Sequence, residues 1–432
     1  MSLAHLIRRL FSAVGARAAA AAFGLLSQLA LARVFSPADV GIFLLTMSVM
    51  AFASLLMTGG YPALGFTYLA RYQSLARKSL VSAFHAAALR TTLALSLVMA
   101  VLAIAAYFLP ALEHMRPAIL YGALAAPGLA LIRLNNAAAN SLRRFDLSFI
   151  PDFMLRSGFL LAAILAIIAL APQPQMVWIL WAIVISTYVA AGIQALLLGR
   201  SGVVAKVFSV QRRSLAPFYR IRAAALLVGA FVSFTFAEIV TLVAGLLLPT
   251  HDVAVVGIAV RLAAIAGFVV QTMQLIAIPD LTDTMARGTR AEADRLMRRT
   301  NLVNVALMVA AILVTLVLGD WVLSLFGPDY LAGKWALVLF LLCQMVRSAG
   351  TMNNHLLSLG GYQTRTALVC AVALAVLLGA AAILTPQLGL MGIGWAALVA
   401  ECVWAVGLAA SAQSLTGRRG DLLAGLRLKR IS

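Results

Sequence analysis

AILYGALAAPGLALIRLNNAAANS, residues 118–141, is apolar almost from end to end, with one arginine and three asparagines set into its second half. At about 1.5 Å per helical residue, a stretch of this length crosses a hydrocarbon core about 30 Å thick. Arg133 then lies roughly 13 Å inward from the nearer end. A guanidinium cannot discharge by losing its proton. A charged side chain at the bilayer centre costs at least about 2.5–3.5 kcal/mol, so such residues normally face a bundle interior or a wet cavity. The same pattern recurs along the chain: Arg17, Arg90, Arg156, Arg261, Arg347, Glu238 and Glu401 also interrupt stretches otherwise apolar enough to span a membrane. Six arginines against two glutamates point to a polar, positively charged pathway.

The composition agrees with a membrane setting. Of 432 residues, 63% are hydrophobic and only 11% charged, whereas soluble domains run near 45–50% apolar and about 25% charged. The mean hydropathy is +1.01. A net charge of +19 suggests nucleic acid at first sight, but the charges cluster between apolar segments and coat no soluble face. No nucleic-acid partner is expected. Cys343, Cys370 and Cys402 have neither disulfide nor metal spacing and read as small buried hydrophobes. Arg8-Arg9 precede an apolar run that resembles a signal sequence. That run is too long, carries Arg17 and leads straight into further spans, so an uncleaved first helix is expected.

Twelve spans are expected, at 10–33, 40–61, 83–108, 118–141, 147–171, 176–199, 222–248, 253–279, 300–319, 334–358, 365–385 and 390–413. The connecting segments alternate in charge. One side collects 24 basic residues, the other only Arg33, Arg116 and Lys334. By the positive-inside rule both termini are cytoplasmic. The long connection at 200–221 divides the chain into an N-lobe (1–199) and a C-lobe (222–413), followed by a basic tail (414–432) that suits contact with anionic lipid. Charges at helical spacing over 284–299 predict a surface helix between spans eight and nine.

The two halves resemble each other. SPADVGIF (36–43) follows span one and THDVAVVGIA (250–259) follows span seven; Pro62 comes 21 residues after Gly41, and Pro279 comes 22 after Gly257. Asn135-Asn136 near the end of span four match Asn353-Asn354 near the end of span ten. Two bundles related by an axis along the membrane normal are expected.

Each buried charge has a structural and a functional reading. Arg156 lies four residues after Asp152, so it either forms an intrahelical pair or joins a cavity. Arg90 either joins the cavity or is near enough to an interface to snorkel. Arg17, Arg133, Arg261 and Arg347 are the candidate cationic cavity, since guanidinium groups match phosphate oxygens in a bidentate way. Glu238 and Glu401 either pair with arginines or exchange a coupling ion, H⁺ or Na⁺. Asn135, Asn353 and Asn354 contact sugar hydroxyls or join helices. The sequence offers no metal cluster, Gly-rich phosphate loop or long periplasmic loop bearing a catalytic carboxylate, so neither enzyme activity nor a cofactor is expected.

FSPADVGIFLL (35–45), HDVAVVGIAVRL (251–262), LFGPDYLAG (325–333), LGGYQTRTAL (359–368) and TPQLGLMGIGWAALVAE (385–401) together resemble the polysaccharide-transport branch of the multidrug, oligosaccharidyl-lipid and polysaccharide exporter (MOP) superfamily. The resemblance implies an all-α membrane fold of two six-helix lobes around a central cavity. It further implies a bacterial inner-membrane flippase that moves undecaprenyl-pyrophosphate-linked oligosaccharide, such as O-antigen, capsule or exopolysaccharide units, to the periplasmic leaflet. Membrane lipids and a polysaccharide polymerase or export machinery are the further partners it implies. The acidic residue usual in the family's seventh helix appears here as Glu238. Alternatives within the superfamily are a cation-coupled multidrug exporter, which the buried arginines argue against, and a lipid II flippase, which usually has fourteen spans.

Overall fold

A computed structural model describes residues 3–75, 77–142, 144–200, 218–220, 222–223, 227, 236–287 and 290–422. Among them every regular element is helical. The helices are α1 (Leu3–Val34), α2 (Pro37–Met57), α3 (Tyr61–Ser74), α4 (Lys78–Tyr107), α5 (Arg116–Ser141), α6 (Phe145–Phe149), α7 (Arg156–Leu170) and α8 (Met176–Arg200). They continue with α9 (Phe236–Leu247), α10 (Thr250–Arg287), α11 (Arg290–Ser324), α12 (Lys334–Leu359), α13 (Gln363–Leu388) and α14 (Leu390–Thr416). Among the described residues ten helical stretches are long and apolar enough to cross a membrane, and two shorter apolar helices, Ala18–Val34 and Phe236–Leu247, overlap expected spans one and seven. The chain is a multi-pass membrane protein. Outward faces agree: α4 exposes Leu97, Val101 and Ile104, and α11 exposes Leu313, Val317 and Trp321. Such faces are at home against lipid.

Contacts divide the chain into two compact units, Met1–Ala254 and Val255–Ser432. The internal likeness expected from sequence is visible in their elements. In the first unit a six-residue 3-10 turn, Pro110–Met115, leads into α5, a helix of 26 residues. In the second, Pro328–Gly333 leads in the same way into α12, again 26 residues long. Pro at the start of each turn supplies a fixed φ where no N–H is needed.

One pair of counterparts differs. The second half uses a single 38-residue helix, α10, where the first half has two, α2 and α3. The break follows from Gly59-Gly60, both at positive φ. A side chain at Gly60 is excluded twice over, because its Cβ would lie 1.9 Å from the Ala223 carbonyl oxygen. Ser36 starts α2 with its Oγ accepting from Asp39 N–H at 3.2 Å, and Pro37 sits in the first turn.

In the first unit, α5 packs between α2 and α8, and α9 lies along α2. At one end Tyr61, Phe84 and Tyr219 form an edge-on aromatic core, and Tyr72 and Tyr219 share a 2.9 Å hydroxyl contact. This core holds the described part of the connection before α9. In the second unit, α14 packs on both α12 and α13. The surface helix expected over 284–299 is not a separate element. Residues 284–287 end α10 and Arg290 begins α11, which runs unbroken to Ser324. Ala293 and Met297 pack there on Met352 and Leu356 of α12, so the charged positions form one face of a spanning helix that projects past its apolar part.

Candidate functional site

Each unit carries its own buried charge centre. In the first, Arg133 and Asn136 stand three residues apart on α5, and therefore on one helical face. Opposite them the chain forms a π-helical turn, Ile150–Leu155, before α7. Pro151 within it has no N–H to give to an α-helical ladder, and π turns often occur at functional sites. This turn presents Asp152. Asn136 Nδ2 donates to Asp152 Oδ2 at 2.8 Å, and Gln194 Nε2 on α8 donates to Asn136 Oδ1 at 2.7 Å and to the Leu147 carbonyl at 3.0 Å. Arg156 Nε lies 3.6 Å from Asp152 Oδ1, so the intrahelical pair suggested by their spacing is present as an ion pair. Arg133 interacts electrostatically with Asp152, with Glu238 of α9 and with Arg156. Two guanidiniums and two carboxylates thus share one neighbourhood, in which Asn136, itself held by Gln194, anchors the Asp152 carboxylate. Neutralised pairwise, the charges can remain at membrane depth.

The second centre is simpler. Arg347 of α12 donates through Nη2 to Glu401 Oε1 of α14, and its guanidinium lies 5.3 Å from the centre of the Trp404 ring. Glu401 Oε2 has no hydrogen-bond partner among the described residues. The Arg347 side chain is 16% exposed against 4% for Glu401, so the cation is the more exposed member of the pair. Trp404 comes three residues after Glu401 on α14, which puts both on the face that meets α12.

The remaining candidates scatter. Arg261 on α10 is half-buried and donates to the Gly257 carbonyl at 3.2 Å, one turn back on its own helix. Arg90 stands exposed on α4, and the Arg17 side chain lies outside the described residues. Asn135 is half-buried beside Asn136. Asn353 accepts from the Gly420 N–H at 2.6 Å, which ties it to the segment after α14; Asn354 is half-buried next to it. No group of three His, Cys, Asp or Glu side chains suited to a metal occurs among the described residues.

Gln194, Trp404 and Asp152's place on a π turn were not among the sequence candidates. A glutamine in an apolar span is a visible signal, but its partners come from two other helices. The centres can hold an anion by exchange, since a phosphate oxygen can replace a carboxylate oxygen on a guanidinium.

No protein-family model matches the chain, and a search of curated proteins finds no match. Solved structures do match. The inward-facing conformation of a multidrug resistance MATE family transporter of the MOP superfamily is similar at TM-score 0.71 and 16% identity, over 91% of this chain and 94% of that one. The lipid II flippase MurJ in its inward closed conformation gives TM-score 0.64 and 13% identity, over 91% and 86%. A MOP superfamily transporter from Pyrococcus furiosus, described as having a binding pocket of reverse polarity, gives 0.59 and 14%, over 95% of each chain. At these identities the likeness is one of fold. The chain therefore has the helical fold seen in MATE transporters and in the lipid II flippase.

Proposed function

We propose that the protein is an alternating-access flippase that carries an anionic, lipid-linked oligosaccharide from the cytoplasmic to the periplasmic leaflet of a bacterial inner membrane. The observation that carries this reading is the Arg347–Glu401 centre, in which a permanently charged guanidinium forms the more accessible half of a pair set inside a spanning helix. A pyrophosphate offers that guanidinium more oxygens than one carboxylate, in geometry suited to bidentate contact. Arg133 plays the same part in the first unit, and Arg17 and Arg261 are the further cargo-facing candidates. Six arginines against two glutamates in the apolar stretches favour an anionic cargo over a cationic drug.

Coupling follows from the same exchange. When cargo takes the arginine, Glu401 or Glu238 is left as an uncompensated charge, which a proton or sodium ion neutralises. Cargo and ion then favour different conformations, and that difference in binding free energy drives the change between them. With 24 basic residues assigned to one side and three to the other, both termini face the cytoplasm.

The test is a leaflet assay for lipid-linked glycan in cells carrying Arg133→Gln or Arg347→Gln. Glycan trapped on the cytoplasmic side is expected in both. Normal surface polysaccharide in both, at wild-type protein levels, rejects the assignment. Glu401→Gln with full transport removes that residue from coupling.

A further inference from the structure

One polar cluster plays no part in either charge centre. Asn301 and Asn304 lie one turn apart on α11, Asn353 lies on α12, and all three are fully buried. Their one visible occupant is the chain itself. Asn301 Nδ2 donates to the Gly420 carbonyl at 2.5 Å, and the Gly420 N–H donates to Asn353 Oδ1 at 2.6 Å. The segment after α14 turns at Gly417, whose φ is +67°, and lays the backbone of residue 420 into the cluster. Only glycine fits there, because a Cβ would come within 2.8 Å of the Met352 carbonyl carbon and 2.9 Å of the Asn353 nitrogen.

This strap satisfies the cluster poorly. Four amide atoms of the cluster remain without a hydrogen-bond partner among the described residues: Asn301 Oδ1, Asn304 Nδ2 and Oδ1, and Asn353 Nδ2. Buried polar groups are paired in nearly all native structures, and each unpaired one bears its full desolvation penalty. Residue 420 brings one donor and one acceptor to a site with four groups left over. A largely apolar cavity of about 510 Å³ opens beside the strap, lined by Val346, Asn353, Ala405, Val406, Ala409 and Arg419. Asn353 is the member of the cluster that reaches it, and Asn301 and Asn304 stay buried with the strap in place.

The unpaired groups include both donors and acceptors, a mixture that suits hydroxyl groups, each of which gives and takes a hydrogen bond. The surroundings exclude a bare cation. Arg295, Arg298 and Arg299 stand exposed on the first turns of α11 and Arg418 and Arg419 lie on the strap, against Glu292, Asp294 and Asp421. Arg419 is held by Asp421 at 2.7 Å. An excess of positive charge around neutral amides favours a polyol that carries an anionic group.

We propose that the asparagine cluster is a binding site for adjacent hydroxyls of a sugar phosphate, closed in this conformation by the chain's own residues 417–421. The adjacent donor and acceptor of residue 420 stand where two neighbouring sugar hydroxyls would bind. The identity of the ligand rests on the proposed function. The strap and its release do not.

The experiment uses full-length protein and N-acetylglucosamine 1-phosphate as the probe. Gly420→Leu expels the strap while leaving every asparagine in place. If the strap fills the site about nine-tenths of the time, its release raises apparent affinity about tenfold. Adding Asn304→Ala, at a residue the strap does not touch, removes the gain. Equal affinity with and without Gly420→Leu, or a gain that survives Asn304→Ala, overturns the site. Inorganic phosphate competing as well as the sugar phosphate overturns it too, because the arginines alone would then explain binding.

A second readout needs no variant. Saturating probe speeds tryptic cleavage after Arg418 and Arg419 in the wild-type chain, and cleavage indifferent to the probe rejects the strap. Probe-dependent release in a protein that moves no lipid-linked glycan keeps the site and rejects the flippase reading. Transport with no probe-dependent release does the reverse.

Discussion

At the scale of single residues, the Arg347–Glu401 pair makes the sharpest energetic claim. Removing one partner takes from the other its buried counter-charge, so Arg347→Ala or Glu401→Ala is expected to destabilise by about 3–5 kcal/mol. Replacing both, as Arg347→Met with Glu401→Leu, is expected to cost much less, because two matched charges are withdrawn together. Unfolding midpoints of the three variants in one detergent decide this. A loss in the double variant equal to the sum of the two single losses would mean that the pair is not energetically coupled. In the other centre, Gln194→Leu strips the donor from Asn136 Oδ1 and the Leu147 carbonyl, with an expected loss of about 1–3 kcal/mol in the same measurement. The charged members of both centres were legible in the sequence, because a charge in an apolar run stands out against its neighbours. Their amide partners were not. Gln194 becomes meaningful only when α5 and α8 bring it to Asn136, 58 positions away. Asn353, read from sequence as contacting sugar hydroxyls or joining helices, is engaged by a glycine 67 positions on, and no local pattern announces that contact.

At the scale of elements, hydropathy located the apolar helices but not their breaks. It registers a change of polarity along the chain, whereas a kink depends on backbone angles and on what lies across the gap. The turn between α2 and α3 shows the difference. Gly59 and Gly60 both have positive φ, for which an L-residue loses about 1–2 kcal/mol. At Gly59 the nearest atoms to an added Cβ are side-chain methyls of Leu95 and Thr91, at 3.2 and 3.3 Å, which can give way. At Gly60 the obstacle is a backbone carbonyl at 1.9 Å. Gly59→Ala is therefore expected to fold with a modest loss, and Gly60→Ala to lower the yield of folded protein sharply. Size-exclusion profiles of the two variants test the ranking, and similar behaviour would show that the Ala223 contact does not hold the break. The segment at 284–299 illustrates the opposite limit. Its helical charge spacing was correct, but the same period continues into the apolar run, so nothing in the sequence separates a surface helix from the end of a spanning one.

At the scale of the whole molecule, duplication is plain in the paired 3-10 turns and 26-residue helices, while the chemistry is not duplicated. The first unit gathers two arginines and two carboxylates beside a π turn whose Asp152 is bound by an amide; the second sets an Arg–Glu pair against an indole. Under the proposed function each centre exchanges a carboxylate oxygen for one of the cargo's, in unlike surroundings. Net movement from one leaflet to the other requires a definite orientation in the membrane, which charge asymmetry sets. With 24 basic residues on one side and three on the other, the link between α7 and α8 should face the periplasm and that between α12 and α13 the cytoplasm. In a background with Cys343, Cys370 and Cys402 replaced by alanine, Gln173→Cys is expected to react with an impermeant thiol reagent added to intact spheroplasts. Gln363→Cys is expected to react only after the membrane is opened. The reverse pattern would invert the chain and place the asparagine strap on the periplasmic side, where a lipid-linked sugar arrives only after transport. Reaction of both sites from outside would break the alternation on which the span count depends.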